Sequence, residues 1–254
     1  IVFGDWSSDV CSSDLPEYLE YKPIINTVKK LKQEGRIKYI GFSTHRNEPV
    51  VIDAAAGQDV WDVILTQYNY RLAFIPELNA AVKKAASAGI GIVAMKTLAG
   101  GFLDRERTKP VNAPAALKWV LQNPDIHTTI PGMTAFDQVD INAKIMEDYN
   151  LTDQEKNELI ASASEPGLIC SGCNQCTESC VKHLPVRDLM RAYMYAYGYG
   201  SPAMAKHLLE ELGSGENPCG DCDVCSVKCF RNFNLKAKIA DISRLHGVPA
   251  DFLA

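Results

Sequence analysis

Eight cysteines fall in two short windows near the end of this 254-residue chain. Cys170, Cys173, Cys176 and Cys180 read C-x2-C-x2-C-x3-C, and Cys219, Cys222, Cys225 and Cys229 repeat that spacing about forty residues later. Three thiolates two residues apart can wrap three irons of a [4Fe-4S] cube, while a fourth, one residue further out, can reach across to another cube. Zinc is the competing reading, but tetrahedral zinc sites usually pair two C-x2-C knuckles over a longer gap and do not use a triple run. A disulfide framework would scatter its cysteines to tie distant loops, whereas none lies between Leu15 and Ile169. The clustering points to metal chemistry in a reducing compartment.

This double run resembles that of two-cluster ferredoxins. The resemblance implies crossed ligand sets: Cys170, Cys173 and Cys176 with Cys229, and Cys219, Cys222 and Cys225 with Cys180. The proline that often follows the fourth cysteine is replaced by Val181 and Phe230. Between the windows, PVRDLMRAYMYAYGYGSPAMAKHLLEEL has helical periodicity and more length than a small ferredoxin loop, so residues 165–254 read as an α-helical ferredoxin-like domain. Tyr193, Tyr195, Tyr197 and Tyr199 are read there as packing, with an electron-guiding role as the alternative.

Upstream, amphipathic segments alternate with short apolar runs. KPIINTVKKLKQEG has Ile24, Val28 and Leu31 at helical spacing, stops at Gly35 and leads into IKYIGF. EPVVIDAAAGQ leads into VWDVILTQY, PELNAAVKKAASAG into IGIVAMKT, and APAALKWVLQN into IHTTIPGM, before a last helix around AFDQVDINAKIME. Alanine-rich helices between buried strands imply right-handed crossovers and a parallel sheet, either doubly wound or a (β/α)8 barrel. Polar residues and glycines follow each apolar run, as in barrels with chemistry at the C-terminal strand ends. No GxGxxG follows any strand.

GRIKYIGFSTH, DVILTQYNY, GIVAMKTLAGG and IPGMTAFDQVDIN, in that order and spacing, resemble strands five to eight of the aldo/keto reductase barrel. The resemblance covers about half a barrel and implies nicotinamide-dependent reduction of a small carbonyl substrate. It implies that Ser43, Thr44 and Gln67 hold the nicotinamide carboxamide, that Met95 lies against the ring, and that Lys96, Leu98 and Gly100 belong to a loop along the pyrophosphate. Taken residue by residue, Ser43 and Thr44 could instead cap a helix, Gln67 could satisfy a strand-end carbonyl, and Met95 could be core. His45 either lines the same face or caps a helix; His127, His183, His207 and His246 read as structural or exposed. Gly132, Met133 and Gln138 stand where many family members hold a 2′-phosphate, so NADP and NAD both remain open. The family's proton-donating Tyr and its supporting Asp, Lys and His lie on strands one to four, outside this resemblance, so no catalytic residue is assigned.

The first residues read differently. DWSSDVCSSDL, residues 5–15, has no periodicity and back-translates in order, through its single Trp codon, to a string resembling a short-read sequencing adapter. Residues 1–15, Cys11 included, are therefore expected to be an artefact joined to a truncated gene, leaving a partial barrel at 16–164 with an unpaired edge at its first strand. Such a chain is expected to be aggregation-prone.

A hydrophobic content of 46% suits an ordinary core, and a net charge of −5 without a long basic run gives no reason to expect nucleic acid or an anionic membrane as partner. No apolar stretch approaches the roughly 18 residues of a membrane span, and no secretory leader is legible, so a cytoplasmic protein is expected. The expected architecture is α/β, the C-terminal half of a (β/α)8 TIM barrel followed by a small α-helical ferredoxin-like domain. The expected function is an aldo/keto reductase-like oxidoreductase with two [4Fe-4S] clusters and NADP or NAD, passing electrons to or from a partner protein. The alternative is an iron–sulfur electron carrier or redox sensor whose barrel is a non-catalytic scaffold.

Overall fold

A computed structural model describes residues 14–173, 175–220 and 222–253. Cys11 and most of the segment read as adapter lie outside the described residues. The chain divides into two compact units, Ile1–Ala99 with Asn112–Lys156, and Gly100–Val111 with Asn157–Ala254.

In the first unit, β1 (Gly41–Thr44), β2 (Val63–Gln67), β3 (Gly91–Met95) and β4 (Thr128–Thr129) form one parallel sheet in chain order. α1 (Lys22–Gln33), α2 (Glu48–Ala55), α3 (Ile75–Ser87), α4 (Ala113–Leu121) and α5 (Phe136–Lys144) alternate with the strands. A doubly wound sheet reverses its order at a switch point, and four strands in unbroken chain order show no such reversal. The run IKYIGF enters the ladder only at Gly41. Its Ile40 is held instead by a local clamp: the Ile40 carbonyl accepts from the N–H groups of Asp62 and Val63, and the Asp62 carboxylate accepts from the Ile40 N–H at 2.7 Å.

Ile64, Ile92 and Ala94 are buried against Val51 and Ile52 of α2, Leu78 and Val82 of α3, and Val120 of α4. Side chains alternate across a strand, so Val63, Leu65 and Val93 face the other way, where they are only half-buried. Parallel sheets normally bury both faces. β1 and β4 are the two edges, and α5 buries none of its residues, with Phe136 94% exposed.

α6 (Asp153–Ser164) opens with a capping box: Thr152 Oγ1 accepts from the Glu155 N–H at 3.2 Å, and Glu155 Oε2 accepts from the Thr152 N–H at 2.8 Å. Lys118 Nζ adds an ion pair to Glu155 at 2.8 Å.

The second unit packs α7 (Val186–Tyr193), a π-helical turn (Met194–Gly198), α8 (Pro202–Leu212) and α9 (Leu235–Ser243) around Leu189, Met190, Tyr193, Leu209, Ile239 and Ile242. The cysteine windows are the irregular segments before α7 and between α8 and α9. Ile169, next to Cys170, occupies the space where side chains at Gly100 and Gly198 would begin: an added Cβ would meet its atoms at 2.7 and 2.6 Å. The tyrosines pack, Tyr193 on Tyr197 with centroids 4.7 Å apart and Tyr195 on Tyr199 at 6.2 Å. Arg105 lies over Tyr197 at 3.8 Å from its centroid, donates to the Tyr193 hydroxyl and pairs with Asp241. Among the described residues no helix is long and apolar enough to cross a membrane.

Candidate functional site

The two cysteine windows meet in two cavities of the second unit. One is lined by Cys170, Cys173 and Cys176 of the first window together with Cys229 of the second. The other is lined by Cys219, Cys222 and Cys225 of the second window together with Cys180 of the first. The fold therefore brings each triple run to the fourth cysteine of the other window. All eight are free thiols. Among the described residues no three His, Cys, Asp or Glu side chains are gathered as they would be around a single metal ion.

Local backbone supports these thiols. The Gly172 N–H points at Cys170 Sγ at 3.4 Å, and the Arg231 N–H points at Cys229 Sγ at 3.3 Å. Such N–H···S contacts stabilise thiolate and cluster charge. Burial pushes the Cys170 thiol up to about 11; the neighbouring thiols add to this and the Gly172 N–H opposes it. Burial likewise raises Cys176, Cys219 and Cys229. Raised in this way, these thiols stay protonated at neutral pH, and a metal binding to them would have to displace their protons.

The cavity walls differ. The first carries Arg187, Lys228 and Arg231 beside Met190, Phe230 and Phe233, whereas the second is mostly aliphatic with Lys236 as its cation. The cysteine spacing singled out these thiols but not the cations, which come from α7, from α9 and from beside the last cysteine.

In the first unit, strand register brings the other predicted residues to neighbouring strand ends. Thr44 pairs with Thr66, and Gln67 with Met95. Ser43 is half-buried on β1, and Leu98 is half-buried after β3. Thr44 is fully buried and donates to the Arg46 carbonyl at 3.0 Å. Gln67 Nε2 donates to Glu48 Oε1 at 2.5 Å, a buried carboxylate at the start of α2 that no motif or spacing had pointed to. Met95 is 2% exposed. Lys96 has a left-handed backbone (φ 55°), and its Nζ lies 3.0 Å from His45 Nδ1. Gly100 falls in the second unit. His127 is structural, its Nδ1 accepting from the Ile92 N–H at 2.9 Å. The Asp14 carboxylate, inside the segment read as adapter, accepts from the N–H groups of His45 and Arg46.

A parallel α/β unit with polar strand ends and a helical unit with two thiol-lined cavities define the class. Residues 8–115 match the model of the aldo/keto reductase family. The matched range holds all seven strand-end residues above and none of the eight cavity cysteines. Among solved structures, the chain is similar to an aldo-keto reductase from Bacillus halodurans. For the holo form the identity is 20%, covering 59% of this chain and 57% of that one with a TM-score of 0.44. For the apo form the identity is 21%, covering 59% and 58% with a TM-score of 0.43. This chain thus spans less than two thirds of that protein's length. A comparison with curated proteins returns no match.

Proposed function

We propose that residues 16–164 are the C-terminal half of an aldo/keto reductase-type (β/α)8 barrel and residues 165–254 a ferredoxin-like unit holding two [4Fe-4S] clusters, in an oxidoreductase that uses NADP or NAD. The observation that carries the iron–sulfur part is the convergence of three cysteines of one window and one of the other on each cavity. When bound, the clusters supply one-electron transfer. The chain's own residues do the rest: the thiolates ligate, the Gly172 and Arg231 N–H groups donate to sulfur, and Phe230, Phe233, Leu235 and Ile239 keep the walls apolar.

The reductase part rests on the family match over residues 8–115. Ser43, Thr44, Gln67, Met95, Lys96, Leu98 and Gly100 are its nicotinamide residues. As placed, they do not fit the ring: the Gln67 amide is committed to Glu48 and Met95 is packed inward. No hydride step is drawn through them. The substrate is proposed to be a small carbonyl compound, and an electron-transfer protein is the proposed partner, in a reducing, cytoplasmic setting. The same two commitments favour the second reading, an iron–sulfur carrier or redox sensor with a scaffold barrel.

Anaerobic reconstitution of the chain with iron and sulfide tests the cluster assignment. About eight irons and eight acid-labile sulfides per chain are expected. Two zinc ions without sulfide overturn it. NADPH or NADH binding with carbonyl reduction favours the reductase, whereas cluster reduction by a partner protein without such transfer favours the carrier.

A further inference from the structure

Arg231 lines the cavity of Cys170, Cys173, Cys176 and Cys229 and is only 8% exposed. Its Nη1 donates to the Ala163 carbonyl at 2.7 Å, and its Nη2 to the carbonyls of Glu165 and Pro166. These contacts hold the end of the guanidinium and leave Nε over. Among the described residues, Arg231 Nε is one of three buried side-chain nitrogen or oxygen atoms without a hydrogen-bond partner, and the only one that carries a cation's donor.

An unsatisfied buried donor on a charged group costs free energy. Its position on the wall of a thiol-lined cavity calls for an acceptor inside that cavity. Three observations agree on an anionic one. The donor belongs to a fixed positive charge, the Arg231 backbone N–H already points at Cys229 Sγ, and Arg187 and Lys228 line the same wall. The other cavity has Lys236 on its wall and Lys182 near Cys219, and in sequence its window places Asp221 and Asp223 between the cysteines against Glu178 in the first window.

We infer that Arg231 is a positioning residue that donates through Nε to sulfur of the cluster ligated by Cys170, Cys173, Cys176 and Cys229, and thereby makes that cluster the higher-potential one of the pair. Adding an electron adds negative charge to the cluster, and a nearby cation with a hydrogen bond to sulfur stabilises the reduced state. Electrons entering at the cluster of Cys180, Cys219, Cys222 and Cys225 then come to rest at the other. This inference rests on the cluster reading above.

The test is an EPR-monitored redox titration of the reconstituted full chain, with iron and sulfide counted in every sample. Two distinct potentials are expected in the wild type. In Arg231→Gln the higher one moves down, so that the reduced-to-oxidised ratio of that cluster at the wild-type midpoint falls about tenfold, equivalent to ~59 mV for one electron, while the lower one stays. Arg231→Lys keeps the charge without the Nε donor and should fall in between, which covers the case in which the glutamine variant folds poorly. Lys236→Gln should move only the lower potential. Unchanged potentials at full iron content in both Arg231 variants overturn the inference, as does a loss of iron from both sites with the remaining signal unshifted, which is the mark of a purely structural arginine. Wild-type chain without iron and sulfide removes the cluster reading and this inference with it, a result separable from the others by the metal count alone.

Discussion

The two units solve the placement of functional side chains in opposite ways. In the first, periodic secondary structure does the positioning: β1, β2 and β3 run in parallel register, and their ends carry Ser43, Thr44, Gln67 and Met95 to neighbouring places. Those side chains then satisfy one another or their surroundings, as Gln67 does with Glu48. In the second, the eight cysteines sit in irregular segments, and the packing of α7, α8 and α9 decides which of them meet. Its buried thiols, and the unpartnered Nε beside them, are left without protein partners equal to their chemistry.

The sharpest way to break this comparison is to pair cysteine substitutions. Cys173→Ser with Cys229→Ser removes two residues from one cavity and should leave about four irons per chain, while Cys173→Ser with Cys180→Ser, from one window but two cavities, should leave almost none. The reverse result in iron and sulfide analysis would mean that each window is self-contained. A smaller effect is expected in the first unit, where Leu78 is fully buried in α3. Leu78→Ala should cost about 2–5 kcal/mol in urea denaturation while iron uptake stays unchanged. An effect on iron would show that the cavities depend on the sheet core.

The smallest effect concerns Lys118 and Glu155. The hydrogen bond from Lys118, aided by the Thr152 N–H, holds the Glu155 carboxyl below the ordinary glutamate range. Because the folded value is depressed, the pair's contribution is fully present above the ordinary value and is lost as pH falls through the lowered one. Lys118→Met should therefore reduce stability by less than about 1 kcal/mol at neutral pH, with the gap to wild type closing in acid. Equal differences at both pH values, measured by denaturation, would rule out the ion pair as the cause.

Much of this architecture was legible from residue pattern. All four apolar runs became strands and all five amphipathic segments became helices, because periodicity reports which face is buried. The start of β1 was misread by a few residues, since IKYI is as apolar as a strand but is held by the Asp62 clamp instead of a ladder. The assignment of residues 100–111 to the second unit was not legible either: Ile169 against Gly100, and Arg105 against Tyr193 and Tyr197, are contacts between distant positions.

The sequence by itself determined the thiol inventory, its spacing and the alternation of strands and helices, all of which depend on neighbours within a few residues. Only the tertiary structure decided that Cys229 joins the first window and Cys180 the second as neighbours in space. It also decided that Arg231 faces the first cavity and that Glu48 claims Gln67. These outcomes depend on helix packing between residues tens of positions apart, where spacing along the chain carries no information about distance.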